Sequence, residues 1–574
     1  MKRFAVLLSA IALLAFILSY DNNWPGIGVW PTARVSIEAL TVIALGIMLI
    51  ARTASKRAAQ RRLAWLSALL AAMAVLHYVD VTVSGLFGRP LNLFWDGRHL
   101  PVLLMMAAVS SPVWLIALTI VGIPCALVAL YAGCHWALRT VCTAAVVSGA
   151  GRRIATGLAT AAGLAAVAAA ITPGIVRESV VMPLTLTYGK QLLFVAAVFT
   201  PAATDRLLPA SPTFTGGLSA LNGVDVLIVF SESYGAATFE NPELVAALRE
   251  SRTDLQQTLV ATERYAASAL VVSPTFGGGS WLAHAALLSG VDMREPDYHA
   301  LLLASKRPTL IKHFQSNGYR SVALMPGLRA DWPEGGFYGF DQIYDARALE
   351  YGGPDFGFWR IPDQFSLARL HRLELAHRSG PPRLIVFPTI TSHLPFDPVP
   401  PLARDWSFLR DAELGAGFAK SLDQTALARA MARRSDWLAL REPYVRAMDY
   451  SLRWLTGYLR EAAPRDLVTI VIGDHQPAAT VVGREADRAV PIHVISPSKA
   501  LIERFVNAGF SPGLLPKRPA LGLMHELTPL LIEIFDACQP TSARDLSKST
   551  VKSQSSGSDC AQPRVNVPGA RTGG

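Results

Sequence analysis

The chain has 574 residues, 51% of them hydrophobic, with a mean hydropathy of +0.32; it is long enough for more than one domain and too apolar for an ordinary soluble protein. The net charge of +10 does not point to nucleic acid, because the Lys and Arg clusters sit beside apolar segments, where they report membrane orientation. Five cysteines without a CxxC pair argue against a thiolate zinc site and against a disulfide framework.

Ala5 to Ser19 is apolar behind Lys2 and Arg3, as in a signal peptide, but no small-x-small cleavage site follows it and further apolar segments do. It is therefore expected to be a retained first span. Val35 to Ile50, Leu63 to Val83, Pro112 to Leu138 and Ala155 to Thr172 are each near the length that crosses a hydrocarbon core. Together they predict a five-span helical domain over residues 1–175. Arg52, Lys56, Arg57, Arg61 and Arg62 fill the loop after the second span, and Arg139, Arg152 and Arg153 the loop after the fourth. Both are then cytoplasmic, and everything after the fifth span lies outside the inner membrane, facing the periplasm or cell exterior. Leu100 to Val109 is too short to span and reads as an interfacial helix. Cys125, Cys134 and Cys142 fall in or beside the fourth span as core residues, which leaves only Cys538 and Cys560 for a bridge. Such a bundle is either a plain anchor or a device that holds a catalytic domain against lipid headgroups.

Residues 176–221 read as an interfacial helix and linker, with Pro, Ser, Thr and Gly concentrated from Thr204 to Gly217. From 222 to 537, strand-like runs alternate with helix-like ones, which predicts an α/β sandwich around a mostly parallel sheet. Beyond Cys538 apolar periodicity is lost, so 538–574 is expected to be a disordered tail.

Two runs end in chemistry. Val468-Thr-Ile-Val-Ile472 is apolar enough for a central strand covered on both faces, and it stops at Gly473-Asp474-His475. Val224-Asp-Val-Leu-Ile-Val-Phe230 runs into Ser231-Glu232-Ser233 in the same way. In open α/β sheets ligands sit beyond the carboxyl ends of strands. Gly277-Gly278-Gly279-Ser280 then joins a strand to a helix, where Ser280 suits an N-cap, a nucleophile, or both in turn. A third strand end delivers His393. Glu232, Ser280, Asp474 and His475 form a hard-to-borderline donor set suited to Mn or Zn, with Mg possible.

With those motifs in order, the soluble half resembles the alkaline phosphatase and sulfatase superfamily, in its membrane-anchored branch of lipoteichoic acid synthases, glucan phosphoglycerol transferases and lipid A phosphoethanolamine transferases. The resemblance implies an alkaline phosphatase-like domain in which Glu232, Ser280, Asp474 and His475 hold a divalent metal. Ser280 is then the nucleophile and His393 the substrate-side histidine. It further implies a phospholipid donor, phosphatidylglycerol first, and a glycan acceptor. Ethanolamine transfer, phosphodiester hydrolysis, or a non-catalytic glycan-binding homologue are the alternatives. Three departures bear on this. Ser280-Trp-Leu-Ala-His284 lacks the Cys/Ser-x-Pro-x-Arg context of sulfatases, and cysteines are too few for the disulfides of ethanolamine transferases. In the glycerol-phosphate segment Trp332 matches a family Trp, whereas the family Arg falls near Glu334, which leaves Arg329 for the anion contact. His284, one turn after Ser280, either faces the site or lies on the helix surface.

Overall fold

Two periodicities divide the chain, one helical and apolar, the other alternating between strands and amphipathic helices. The computed structural model describes residues 2–537 apart from 24–27, 54, 88–90, 172–178, 182, 199–207, 296, 330–331, 333–334, 377–379, 404, 438 and 484–485. The expected tail at 538–574, with Cys538 and Cys560, and part of the expected linker lie outside the described residues.

The amino-terminal part forms α1 (Lys2–Phe16), α2 (Ile37–Ala51), α3 (Lys56–Phe87), α4 (Leu93–Ser110), α5 (Val113–Val147) and α6 (Gly151–Ile171), followed by α7 (Leu184–Val198). A helix stands at each of the five expected spans, but among the described residues only Lys56–Gly85 and Val113–Val147 are long and apolar enough to cross a membrane. The expectation of five spans is corrected to two. The physical reason lies at the first two segments. Tyr20–Asn23 (β1) pairs antiparallel with Gly28–Pro31 (β2), and Ser36 is an N-cap whose Oγ accepts from Ala39 N at 3.2 Å. The hairpin just after the first segment and the cap at the start of the second keep either helix from lengthening into a full span. The remaining 15-residue helices rise only about 22 Å against a hydrocarbon core of roughly 30 Å. The segment expected as a short interfacial helix at Leu100 begins seven residues earlier, at Leu93. Cys134 and Cys142 are buried on α5 as expected, whereas Cys125 is exposed there.

The second part is built on an eight-stranded sheet. Its strands are β3 (Val226–Ser231), β4 (Tyr265–Val272), β5 (Arg320–Met325), β6 (Gln342–Asp345), β7 (Arg383–Pro388), β8 (Val468–Gly473), β9 (Ala489–Ser496) and β10 (Ser511–Pro512). They lie in the order β10-β4-β9-β8-β3-β7-β5-β6. From β8 to β6 all neighbours are parallel; β9 runs antiparallel to both β8 and β4, and β10 antiparallel to β4. The sheet is mixed and mostly parallel. Its central strands show why unbroken apolar runs were needed. Val226, Ile228 and Phe230 enter the core on one face with Leu384, Val386, Ile470 and Ile472, while Leu227, Val229, Ile385, Phe387 and Val471 enter the core on the other. Each such side chain, fully buried, contributes about 1.5–3 kcal/mol. At the opposite ends of the strands Arg383 lies 3.2 Å from Glu374 and 3.7 Å from Asp225, and Asp225 Oδ1 accepts from Arg383 N at 2.8 Å. That clamp joins the starts of β3 and β7.

The two parts touch where α4 begins: Asn92 donates its side-chain amide to Asp297, while within the amino-terminal part Leu93 N donates to Gln191 of α7.

Gly473 closes β8 where a Cβ would lie 1.9 Å from the Tyr234 carbonyl oxygen, a backbone atom that cannot swing aside. Gly473→Ala is expected to cost at least about 1–3 kcal/mol, read as a lowered unfolding midpoint of the solubilised protein. An unchanged midpoint would show that the strand tips separate more easily than this packing implies.

Candidate active site

Parallel pairing sets the site. Ser231 is in register with Gly473 across β3 and β8, so the next residues, Glu232 and Asp474, emerge side by side. Both are buried, as is His475. Backbone and hydroxyl donors hold the carboxylates. Asp474 Oδ1 accepts from Ser233 N at 2.8 Å and His475 N at 2.6 Å, and Glu232 Oε1 accepts from Ser233 Oγ at 2.9 Å. Ser233 reaches both by adopting φ +58°, a conformation that non-glycine residues seldom take. Tyr444 supports it from behind by donating to the Ser233 carbonyl at 2.9 Å.

His475 Nδ1 lies 2.7 Å from the Gln476 carbonyl oxygen, which can only accept, so the ring proton is on Nδ1. The Nε2 lone pair is left facing the carboxylates, 3.4 Å from Glu232 Oε1 and 3.7 Å from Asp474 Oδ2.

Ser280 arrives on a different element. Gly277, Gly278 and Gly279 have φ of 66°, 147° and 79°, three successive turns that side chains would resist. Gly277 N donates to the Gln476 carbonyl at 3.0 Å, which fastens this loop to the tip of β8. Gly279 is the N-cap of the helix Ser280–Ser289 and Ser280 its first residue. The expectation that Ser280 caps the helix is therefore corrected: its hydroxyl points away, 2.9 Å from Glu232 Oε2 and 3.2 Å from His475 Nε2.

The electrostatics call for a cation. Burial pushes the Asp474 carboxyl up to about 7, and the neighbouring Glu232 adds to this. Burial would lower His475, but Asp474 and Glu232 reverse the sign and raise it. Among the described residues no Lys or Arg pairs with either carboxylate. One ligand atom from each of Glu232, Asp474 and His475 lies within 4.8 Å of the others. Two carboxylates, an unprotonated imidazole nitrogen and a hydroxyl fit a divalent metal, Mn or Zn by donor type.

The other expected residues lie further out. His393 sits on the loop after β7, its ring 4.7 Å from that of Trp359, and no described hydrogen bond joins it to the quartet. Nδ1 donates to the Leu394 carbonyl at 2.8 Å, and burial, reinforced by His475, pushes the imidazole down to about 4. His284 packs its ring 4.4 Å from Phe230, and its Nε2 has no hydrogen-bond partner. It is half-buried rather than free on the helix surface, and Asp474 and His475 of the quartet act on its charge. Trp332 stacks on Tyr338 at 5.9 Å, and Arg329 donates to the Phe358 carbonyl at 3.2 Å. Neither has a described contact with the quartet, and Glu334 lies outside the described residues.

Several positioning residues were not anticipated. Thr389 Oγ1 accepts from Glu232 N at 3.0 Å, and Ser392 Oγ donates to the Glu232 carbonyl at 2.7 Å. Asp363, pushed up to about 6 by burial, accepts from Ile390 N and Thr391 N at 2.9 Å each. The run Pro388-Thr-Ile-Thr-Ser-His393 carried a signal for these in its density of hydroxyls at a strand end.

A hydroxyl beside a buried group that could hold a metal ion, at parallel strand tips, is an arrangement chemically suited to attack on phosphate- or sulfate-type esters. Residues 225–492, a little under half of the chain, match the Sulfatase family. No curated protein matches it. Solved structures with a related fold include the integral membrane lipooligosaccharide phosphoethanolamine transferase A (EptA) from Neisseria meningitidis, at 12% identity over 94% of each chain with a TM-score of 0.43. The lipoteichoic acid synthase LtaP from Listeria monocytogenes is 14% identical over 57% of this chain and 79% of its own, TM-score 0.34. The phosphoglycerol transferase GacH from Streptococcus pyogenes is 11% identical over 62% and 88%, TM-score 0.33.

Elemental analysis of the purified protein is expected to find a tightly held divalent metal that Asp474→Asn loses while retaining its fold by circular dichroism. Equal metal content in the two would remove Asp474 from the ligand set.

Proposed function

We propose that the chain transfers a phosphoglycerol group from phosphatidylglycerol to an envelope glycan through a phosphodiester formed on Ser280. The observation that carries this is the Ser280 hydroxyl, 2.9 Å from Glu232 Oε2 and 3.2 Å from His475 Nε2, above two buried carboxylates. Glu232, Asp474, His475 and Ser280 would hold a divalent cation, which would lower the pKa of the hydroxyl and offset phosphodiester charge. In the first step Ser280 Oγ bonds to phosphorus, the bond from phosphorus to the diacylglycerol oxygen breaks, and that oxygen takes up the proton released by Ser280. In the second, a glycan hydroxyl oxygen bonds to the same phosphorus, its proton passes to a base, and Ser280 Oγ leaves and is reprotonated. His393 suits that base. With its pKa near 4 it is neutral at pH 7, and with its Nδ1 proton on Leu394 its Nε2 carries a lone pair. The same state makes it a poor acid for the departing diacylglycerol.

Three features support a lipid donor with a polyol headgroup. A cavity of about 500 Å³ lies between the two parts, with Asp21, Asn22, Asp80 and Ser84 on the membrane side and Phe276, from the nucleophile loop, on the other. Its carboxylates and amide would accept from glycerol hydroxyls. Ser280-Trp-Leu-Ala-His284 lacks the sulfatase motif, which weighs against sulfate esters, and residues 222–537 contain no cysteine, which weighs against the disulfide-rich ethanolamine transferases. The second reading is phosphatidylethanolamine, favoured by the Asp80 carboxylate, which would also accept an ammonium. Orientation follows from α3. Arg57 and Arg61 lie near its start, and Asp80 follows Lys56 by 24 residues, about 36 Å of helix. Basic residues favour the cytoplasm, so the catalytic part, met at the Asp80 end, faces outward.

Ser280→Ala should abolish transfer without unfolding the protein. Mass spectrometry of the nucleophile peptide after exposure to mixed phospholipids should find phosphoglycerol on Ser280; phosphoethanolamine there would install the second reading, and an unmodified peptide with full activity would reject the mechanism. His393→Gln should slow the second step by roughly 10²–10⁴, so that modified Ser280 accumulates. If the first step slows instead, His393 is not the base.

A further inference from the structure

At the far end of the membrane part from Ser280, the helices α3 and α5 enclose a cleft of about 460 Å³ whose polar lining is Arg57, Gln60, Arg61, Tyr131, His135 and Arg139. Arg57 and Arg61 stand one turn apart on α3, a spacing at which like charges repel. Arg139 approaches them from α5. Among the described residues no carboxylate lines the cleft or pairs with any of the three. The neighbouring polar groups are already engaged with one another: His135 lies 3.2 Å from Ser67 Oγ, which donates to the Leu63 carbonyl at 2.7 Å, and Tyr131 stacks on the His135 ring at 6.0 Å.

The level of the cleft is set by the helices. Arg139 follows Val113, the first residue of α5, by 26 residues, about 39 Å of helix. Arg57 and Arg61 open the other helix long enough to span. The guanidinium groups therefore lie where headgroups lie, and Leu63 and Ala64 continue the cleft toward the apolar interior. A cationic mouth above an apolar wall between two spanning helices matches one kind of molecule, amphiphilic and anionic.

We propose that this cleft binds an anionic phospholipid of the cytoplasmic leaflet, with its phosphodiester groups held by Arg57, Arg61 and Arg139 and its acyl chains along α3 and α5. Three converging positive charges favour a headgroup with two phosphates over one. The site lies on the opposite membrane face from Ser280 and is separate from the donor site.

The test uses the full-length protein, delipidated in detergent and titrated with cardiolipin, phosphatidylglycerol, phosphatidylcholine or inorganic phosphate, with bound lipid counted by native mass spectrometry. Cardiolipin is expected to bind most tightly and phosphatidylcholine least. Replacing Arg57, Arg61 and Arg139 together by Gln should weaken cardiolipin binding roughly a hundredfold. A control variant with Lys56, Arg62 and Arg152 replaced by Gln loses the same charge outside the cleft and should keep most of the affinity. Equal losses in the two variants would reduce the effect to general surface charge and overturn the proposal. Unweakened binding by the first variant, or competition by inorganic phosphate at concentrations like those of the lipid, would overturn it as well.

Discussion

The parallel register between β3 and β8 is the constraint on which the site depends. Ser231 pairs with Gly473, so Glu232 and Asp474 leave the sheet together. A slip of one residue would turn Phe230 and Ile472, now in the same core, toward the opposite face. Hydrophobic packing therefore fixes an arrangement that electrostatics alone would oppose, two carboxylates buried side by side. The strain is visible in Asp474, held near 7, and in His475, raised against the effect of its own burial. Core and site are one construction: the side chains that fill the space between the layers also force the charges together, and the charges in turn create the demand for a cation.

The Ser280 hydroxyl is held by a different principle. No strand carries Ser280; a loop of three left-turning glycines does, fastened to the same strand tip through Gly277 N and through Ser273 Oγ, which donates to the Asp474 carbonyl. The cap falls on Gly279, so the Ser280 hydroxyl is not committed to its own helix and is available to Glu232 and His475. Had Ser280 been the capping residue, its oxygen would have been turned toward backbone amides two or three residues on. One position in the chain separates a serine that would cap its helix from one whose hydroxyl meets Glu232 and His475.

Much of this was legible because burial on both faces leaves a strong mark. Val226–Phe230 and Val468–Ile472 could scarcely be anything but central strands, and the residues that ended them were the site. Strand direction left no such mark: β9 is as apolar as β8 yet runs the other way, because periodicity reports which face is covered and not which way the chain enters. β6, half-buried throughout, gave no unbroken run to read. Hydropathy likewise registered the apolar flanks of α1 and α2 but not the hairpin that ends one or the cap that begins the other. Spacing placed His284 one turn from Ser280, but whether that turn faces the site or the core is decided by Phe230, remote in sequence. The surroundings of Trp332 and Arg329, Tyr338 and the Phe358 carbonyl, are likewise set by local loop packing that spacing does not report.

The long helix α3 ties these observations into one geometry. At one end it carries the arginines of the basic cleft, and at the other Asp80 and Ser84, across a cavity from Phe276, four residues before the nucleophile. A soluble substrate would gain nothing from a nucleophile loop placed against a membrane helix. A lipid would gain a great deal, because its acyl chains need not leave the bilayer for its phosphodiester to approach Ser280, and each methylene kept in hydrocarbon spares about 0.8 kcal/mol of hydration cost. The Asn92 and Asp297 contact holds the catalytic part down at this same end. On the proposed lipid-donor reading, the shared cavity and the Asn92–Asp297 contact would give the bundle a part in presenting substrate, which a tether with a flexible connection would lack.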